Sequence, residues 1–434
     1  MIEIFETEIN NKNVAEWIEK FKEGRQADLM KLEAYYKGED NIGKIVQGNN
    51  RIDNKVHVNL AYMITKNSVD YFIGKPVKYS YENFNNDEYL QELQFKNLEE
   101  TENKTLARDL SKFGRAFELV NIKEDKTLYY KRLDPLTSFD VYKKGIIPER
   151  IAHITFITYK SKYKSPVIEG FIYTKDEITE FTYKNRVVAF GDKKPNVFGK
   201  IPVIYYENNA DNIGDYERVT DLLTAYSKLM SCAVDDYESI SNAILLIKDS
   251  KRIDEETKKS LNSTRAIQLF SENAEMAFIN KTLDSDFVKT LRQAIREDIL
   301  TVCNVPDLTD EKFSGNTSGV ALSYKLIGFE NLRADKELYF KQALNRRWEI
   351  ISLYPAKRFE IKAENININM FANLPKDIEN IIQLAKLKNE GALSLRTMLE
   401  KSQLVDDVEE ELERIEEEKI KIENEDTSNL DLRV

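Results

Sequence analysis

Apolar residues recur at three- and four-residue spacing from the start of the chain. Val14, Trp17, Ile18 and Phe21 mark one face of an amphipathic helix over 13–36. A turn follows at Gly38, then a polar stretch, Gly48-Asn-Asn-Arg-Ile-Asp-Asn-Lys55. A second helix is predicted over 59–72. It stops at Gly74-Lys-Pro76, where glycine tolerates a left-handed cap and proline cannot continue the helix.

At 76–82 and 115–206 the period shortens. Segments 116–122, 153–159 and 167–173 are β-branched and aromatic, and lie between Lys/Asp/Gly turn clusters at hairpin spacing. Antiparallel strands flanked by helices make the class α+β rather than alternating α/β. From Asp215 the helical period returns. Tyr216, Val219, Leu222, Leu223, Tyr226, Leu229 and further apolar residues as far as Ile244 form one stripe. Over 216–244 that rod is roughly 43 Å long at ~1.5 Å rise per residue. Candidate strands at 244–248 and 277–281 follow. A helix at 284–303 carries Phe287, Leu291, Ala294, Ile295 and Ile299 on one face. A Pro/Gly/Asp loop, 304–317, leads to a third long helix at 318–352. The last helices are predicted at 375–390 and 393–424. Two long helices bracketing a compact insert predict a stalk with a small head.

The 434 residues allow two to four domains or one extended assembly subunit. No apolar run approaches the roughly 18 residues a membrane-spanning helix needs, so no membrane partner is expected. The acidic N-terminus lacks the basic lead of a secretory signal. Two cysteines, Cys232 and Cys303, exclude a disulfide scaffold and suit a reducing compartment.

Charge is unevenly placed. The net value is −11, but residues 406–426 hold 12 acids and 3 bases. The remaining body is nearly neutral, unlike a chain built to grip duplex DNA. Within the acidic tail, Val408, Leu412, Ile415 and Ile422 form a short heptad seam. Self-association, packing on the body and a solvated helix end are all compatible with it.

Motifs for catalysis are missing. There is no Gly-x-x-x-x-Gly-Lys-Ser/Thr, Gly-x-Gly-x-x-Gly, His-Glu-x-x-His or Gly-x-Ser-x-Gly. Ser314-Gly-Asn-Thr-Ser-Gly319 mimics a phosphate loop without its lysine. Asp307, Asp310 and Glu311 resemble a metal cluster on paper, but lack EF-hand spacing; helix N-capping is the alternative. His57 and His153 stand alone, in keeping with structural roles. No catalytic residue, metal or cofactor is expected. The 22 tyrosines and 21 phenylalanines fit either core filling or interfaces.

Three ordered segments carry a resemblance. Asn49-Asn-Arg-Ile-Asp-Asn-Lys55 leads into the helix that ends Tyr71-Phe-Ile-Gly-Lys-Pro76. Asp215-Tyr-Glu-Arg-Val-Thr-Asp-Leu-Leu-Thr-Ala-Tyr226 opens the long stripe. Val305-Pro-Asp-Leu-Thr-Asp-Glu-Lys-Phe-Ser-Gly-Asn-Thr-Ser-Gly-Val-Ala-Leu322 precedes the third long helix. Together they resemble the portal proteins of tailed bacteriophages, in the branch of long-tailed phages and prophages of Gram-positive bacteria. The resemblance covers about 15–355.

It implies a portal-type α+β subunit in a homo-oligomeric ring, commonly of twelve, at one vertex of the phage head. Double-stranded DNA passes through that ring during packaging and ejection. The terminase large subunit docks on it first and a neck or adaptor protein later; scaffold and major capsid protein surround it. The place is the virion, assembled in the host bacterial cytoplasm. The implied parts are an αβ wing (1–212 and 318–374), stem helices (213–243 and 284–303), a small α/β clip (244–283), a tunnel loop (304–317) and a helical crown (375–434). The tunnel loop presents Asp307, Thr309, Lys312, Phe313, Ser314 and Asn316 to DNA. Lys289, Arg292 and Arg296 on the second stem helix are candidate transient phosphate contacts, with pairing to Glu297 and Asp298 as the alternative. Lys248, Lys251, Arg252, Lys258 and Lys259 would present the clip to motor and neck. Another head–neck adaptor, or a metal-dependent DNA-processing enzyme using the acids near Asp307, are the rival readings.

Overall fold

The computed structural model describes residues 2–4, 8–40, 54–81, 87–161, 164–241, 244–248, 275–279, 285–307, 319–354, 366–372, 378–402, 404–405 and 408–431. They divide into two units. The first comprises 1–37, 61–218 and 300–434, the second 38–60 and 219–299.

The first unit has two cores. In one, helix α1 (Asn11–Phe21) begins at Asn10, whose side chain accepts from the Asn13 amide at 2.9 Å. This is an N-cap that satisfies one of the orphan donors of the first turn. The four stripe residues Val14, Trp17, Ile18 and Phe21 are buried, as the spacing predicts. They pack on a six-stranded sheet formed by β1 (Ile2–Ile4), β5 (Ser138–Lys143), β6 (Glu149–Ser161), β7 (Lys164–Tyr173), β8 (Glu177–Lys184) and β9 (Val187–Pro195) in the order β1-β5-β6-β7-β8-β9. The pairs from β5 to β9 are antiparallel; β1 runs parallel to β5. Phe21 stacks on Phe139 with ring centres 4.6 Å apart. The helix does not run regularly to residue 36. A π-helical turn, Lys22–Gln26, separates α1 from α2 (Ala27–Lys37).

The other core holds a three-stranded sheet, β10-β3-β4, made of β3 (Arg115–Ile122), β4 (Leu128–Leu133) and β10 (Val203–Glu207). Against it lie residues of α3 (Leu60–Phe72), α4 (Asp87–Asn97), α5 (Glu99–Phe113) and the later half of a 34-residue helix, α8 (Gly319–Ser352). The periodicity reading passes over 83–114, where α4 and α5 form. In α5 the acids Glu99, Glu100 and Glu102 of the first turn complement the helix dipole. Gly114 ends α5 in the left-handed region at φ 73; a Cβ there would meet the Asn212 carbonyl at 2.3 Å. Helix α3 stops without a left-handed glycine. Gly74 is not among the positive-φ residues, so the stop falls to Pro76. A two-stranded sheet joins β2 (Lys78–Tyr81) to β13 (Ile366–Asn369).

After β13 come α9 (Ile378–Asn389), α10 (Leu395–Ser402) and α11 (Val408–Asp431). The single helix expected over 393–424 is therefore two. Ser402 turns the chain: its hydroxyl donates to the Leu399 carbonyl at 3.1 Å and accepts from the Leu404 amide at 3.4 Å. Such side-chain bonds compete with helix continuation.

The second unit contains α6 (Thr220–Ser241), the antiparallel pair β11 (Ile244–Lys248) and β12 (Glu275–Ile279), and most of α7 (Ser285–Val302). Strand β12 starts two residues before the expected 277. Segment 54–56 is strapped to α6. Asn54 donates to Asp235 and Glu238, and the Val56 amide donates to Ser231 Oγ at 2.9 Å. His57 Nδ1 lies 3.0 Å from Asp40 Oδ1.

Candidate functional site

Of the residues singled out for function, three basic side chains lie on α7 in the second unit, and Asp307 follows the end of that helix in the first. Lys289, Arg292 and Arg296 follow 3- and 4-residue spacing and share one face of α7. Lys289 and Arg292 are exposed and Arg296 is half-buried. Arg292 Nε donates to the Tyr226 hydroxyl of α6 at 3.1 Å. That bond ties α7 to α6 within the second unit. Glu297 accepts from Gln293 at 2.8 Å.

Helix α7 ends in a Schellman arrangement. The Val305 amide donates back to Leu300 and the Asn304 amide to Thr301, at 3.0 and 3.1 Å. Asn304 supplies the left-handed residue at φ 54, a position that favours Gly and accepts Asn. Leu300 and Val305, the two positions that usually touch in this motif, are both buried. Asn304 also sits against α8, since a Cβ on Gly328 would lie 3.1 Å from Asn304 Oδ1. The start of α8 therefore lies nine residues, about 13 Å of helix, beyond that contact. Cys303 is buried, and burial first, with Asp215 second, pushes its thiol up to about 12. It stays protonated and unreactive at neutral pH.

Farther along α8 the buried stripe reads Phe329, Lys336, Phe340, Leu344, Arg347 and Ile351. Two of its members are charged. Lys336 Nζ is 2.7 Å from Asp215 Oδ2. Asp215 also accepts from Ser111 at 2.6 Å and Asn208 at 3.0 Å. Burial alone would raise the Asp215 carboxyl. Lys336, with Ser111 and Asn208, outweighs it and holds the group below the usual carboxylate range. Asp215 is the first residue of the segment quoted above at the head of the long stripe. Its neighbours are fastened too: Tyr216 donates to the Leu32 carbonyl at 2.8 Å, and Arg25 to Glu217 at 3.1 Å. Eleven residues past Lys336, Arg347 is fully buried. It donates to Glu118, Glu99 and Asn103 at 2.7–2.9 Å and lies 4.6 Å above the Tyr130 ring.

Sequence reasoning missed these two cations. The signal was available: both occupy positions of an otherwise apolar stripe, and a charge there must bring its own partner.

Of the loop residues, Asp307 is half-buried, just past the Schellman turn. Thr309, Lys312, Phe313, Ser314 and Asn316 lie outside the described residues, as do Asp310 and Glu311. Lys248 ends β11, in register with Glu275; Lys251, Arg252, Lys258 and Lys259 lie outside the described residues. Among the described residues, no three His, Cys, Asp or Glu side chains are placed to hold a metal ion, and no helix is long and apolar enough to cross a membrane.

The family description "Phage portal protein, SPP1 Gp6-like" matches residues 16–425, which spans both units and every element from α1 into α11. The chain belongs to that portal family. A curated relative is the portal protein of Bacillus phage SPP1, 19% identical over 416 residues, covering 89% of this chain and 80% of the relative. The function is that of a phage portal protein, and a DNA-channel role follows from membership of the family. As a portal subunit, the chain unites in α8 the Asn304–Gly328 contact, the Lys336–Asp215 pair and the Arg347 network on a single rod.

Proposed function

We propose that this portal subunit assembles into a ring of twelve at the unique vertex of a phage head, in particles built in the bacterial cytoplasm. The observation that carries the reading is the family match over 16–425. The second unit would supply the stem from α6 and α7, and the clip from the segment between them. The first unit would supply the wing and the C-terminal crown, and loop 304–317 would face the channel. A heterologous contact closing on itself suits a subunit that repeats around an axis.

The ring conducts double-stranded DNA and performs no catalysis. Duplex DNA carries one charge per roughly 1.7 Å of axis, and every neutralised phosphate strengthens binding. A body near neutrality holds DNA weakly enough to slide. The basic face of α7, Lys289, Arg292 and Arg296, supplies brief phosphate contacts. The clip, with Lys248, Lys251, Arg252, Lys258 and Lys259, receives the terminase large subunit and later a neck or adaptor protein. Scaffold and major capsid protein meet the wing.

Native mass spectrometry with negative-stain images of the same sample tests the assembly. Twelve chains of 50.6 kDa give a ring of roughly 600 kDa with a central channel. A chain that stays monomeric even when co-expressed with its scaffold would overturn the reading. Shortening loop 304–317 leaves the ring intact and impairs packaging; loss of the ring instead would make the loop an assembly element.

A further inference from the structure

Two features are unused by the channel reading: a groove beside Gly74-Lys-Pro76 and the acidic C-terminal helix. The groove consists of two hollows of about 300 and 460 Å³ that share Val77 and residues from the first turn of α5. One is lined by Lys75, Lys104 and Arg108, with Glu100 as its one acid, which lines the other hollow too. The other is lined by Phe95 and Leu98, which are 81% and 62% exposed. Leu98 is held at φ 52 between α4 and α5, which fixes its exposed position. Three bases against the single acid Glu100 leave positive charge in excess along the basic hollow, and Lys104 shares its acid outside the hollow, Asp70, with Lys66 at 2.8 and 2.9 Å. The groove thus has an apolar half and a basic half.

Helix α11 has the complementary pattern. Leu412 and Ile415 of its apolar seam remain half-buried, and 12 acids crowd 406–426. From Val408 to Ile422 the seam runs about 21 Å. An amphipathic helix laid in a groove places its apolar positions in the pocket and its flanking charges on the rim.

We infer that α11 of one subunit docks in the 75–108 groove of a second copy, its seam against Val77, Phe95 and Leu98 and its acids against Lys75, Lys104 and Arg108. This rests on the ring reading, in which every groove has an identical neighbour and the same contact repeats around the circle. Held in a ring, the helix is presented at high effective concentration, so weak individual contacts suffice.

The test is disulfide trapping in full-length chains, all carrying Cys232→Ser. A chain with Leu98→Cys is co-expressed with a chain carrying Ile415→Cys, and the product is oxidised. The expected result is a cross-linked dimer from the pair and from neither chain alone. Adding Lys104→Glu and Arg108→Glu lowers its yield about tenfold, the effect of losing two exposed ion pairs. Glu411→Lys with Glu418→Lys in the partner restores it. Native mass spectrometry of the same sample separates the readings. An intact ring without the dimer overturns the docking alone, and a chain that stays monomeric even with its scaffold co-expressed overturns the ring as well. A disulfide formed only within one chain bearing both cysteines places the helix on its own groove and overturns the proposal. So does weaker duplex DNA binding by Lys104→Glu/Arg108→Glu with no cross-link, which would make the groove a nucleic-acid surface.

Discussion

Lys336 Nζ and Asp215 Oδ2 are 2.7 Å apart, with their side chains 2% and 0% exposed. The pair joins α8 to the segment that becomes α6 five residues later. Removing one partner strands a buried charge. Lys336→Met is expected to cost about 3–5 kcal/mol. Asp215→Asn added to it recovers much of the loss, because the stranded charge is gone. Urea unfolding followed by tryptophan fluorescence checks this, since Trp17 and Trp348 are the chain's two tryptophans and both lie in the first unit. Equal losses in single and double variants would remove the pairing argument.

The contact between Asn304 and Gly328 sets a second expectation. Asn304→Val forces a β-branched residue into the left-handed region and should cost about 1–3 kcal/mol. Asn304→Gly should be near neutral. Gly328→Ala brings a Cβ to 3.1 Å from Asn304 Oδ1, which offsets alanine's helix advantage of about 1 kcal/mol. In the Asn304→Gly background that advantage should return in full. A thermal-shift double-mutant cycle measures the coupling; additivity would show that the two residues do not interact.

His153 supplies a pH dependence. It is fully buried in β6, and its Nδ1 lies 2.7 Å from Asp140 Oδ1. Burial is the largest influence and lowers the imidazole below its ordinary 6.5, against the pull of Asp140. The unfolded imidazole takes up a proton as pH falls through about 6.5, and the folded one takes it up later. The stabilisation is therefore complete above that pH and is lost as pH falls toward the folded value. Urea midpoints between pH 7.5 and 5.5 should fall for the parent chain and fall less for His153→Gln. Parallel slopes would place the titration elsewhere.

The α7 bases predict a salt effect. If Lys289 contacts a phosphate, Lys289→Ala should lower the slope of log K against log salt for duplex DNA by about 0.9. Arg292→Ala should do the same and also free the Tyr226 hydroxyl that Arg292 now bonds. Binding curves at several salt concentrations read the slope. A change in affinity without a change in slope would assign these residues to packing.

Elements whose apolar period stands alone were legible in the sequence. The α1 stripe, the β6–β7 hairpin and the helices α6–α8 all follow from spacing, although of the α7 stripe only Ile299 is fully buried and Phe287 stays 62% exposed. Helices α4 and α5 were not, because α5 buries Glu99, Glu102, Asn103 and Asp109 beside its leucines and so breaks the apolar pattern. Those polar positions are explained only by distant partners. Arg347 reaches Glu99 across 248 positions of sequence, and Arg132 reaches Asp109 at 2.5 Å from a neighbouring strand. Asn304 as a left-handed cap was equally hidden, because asparagine is ordinary in any loop. Lys289, Arg292 and Arg296 were readable as one face because helical spacing alone sets it.

The π turn at Lys22–Gln26 lets the N-terminal segment tolerate the loss of one residue. Phe21 and Leu29 are eight positions apart, which in a regular helix turns them about 80° from one another. One residue absorbed by the π turn makes them behave as seven apart, about 20° off alignment, and both line the same small cavity. Losing a single residue between Lys22 and Gln26 would convert the turn to regular helix and leave Leu29 in phase. Gaining one elsewhere in 11–37 would swing it out. The chain thus carries one spare residue of slack here, a site where relatives can differ in length by one without repacking the core.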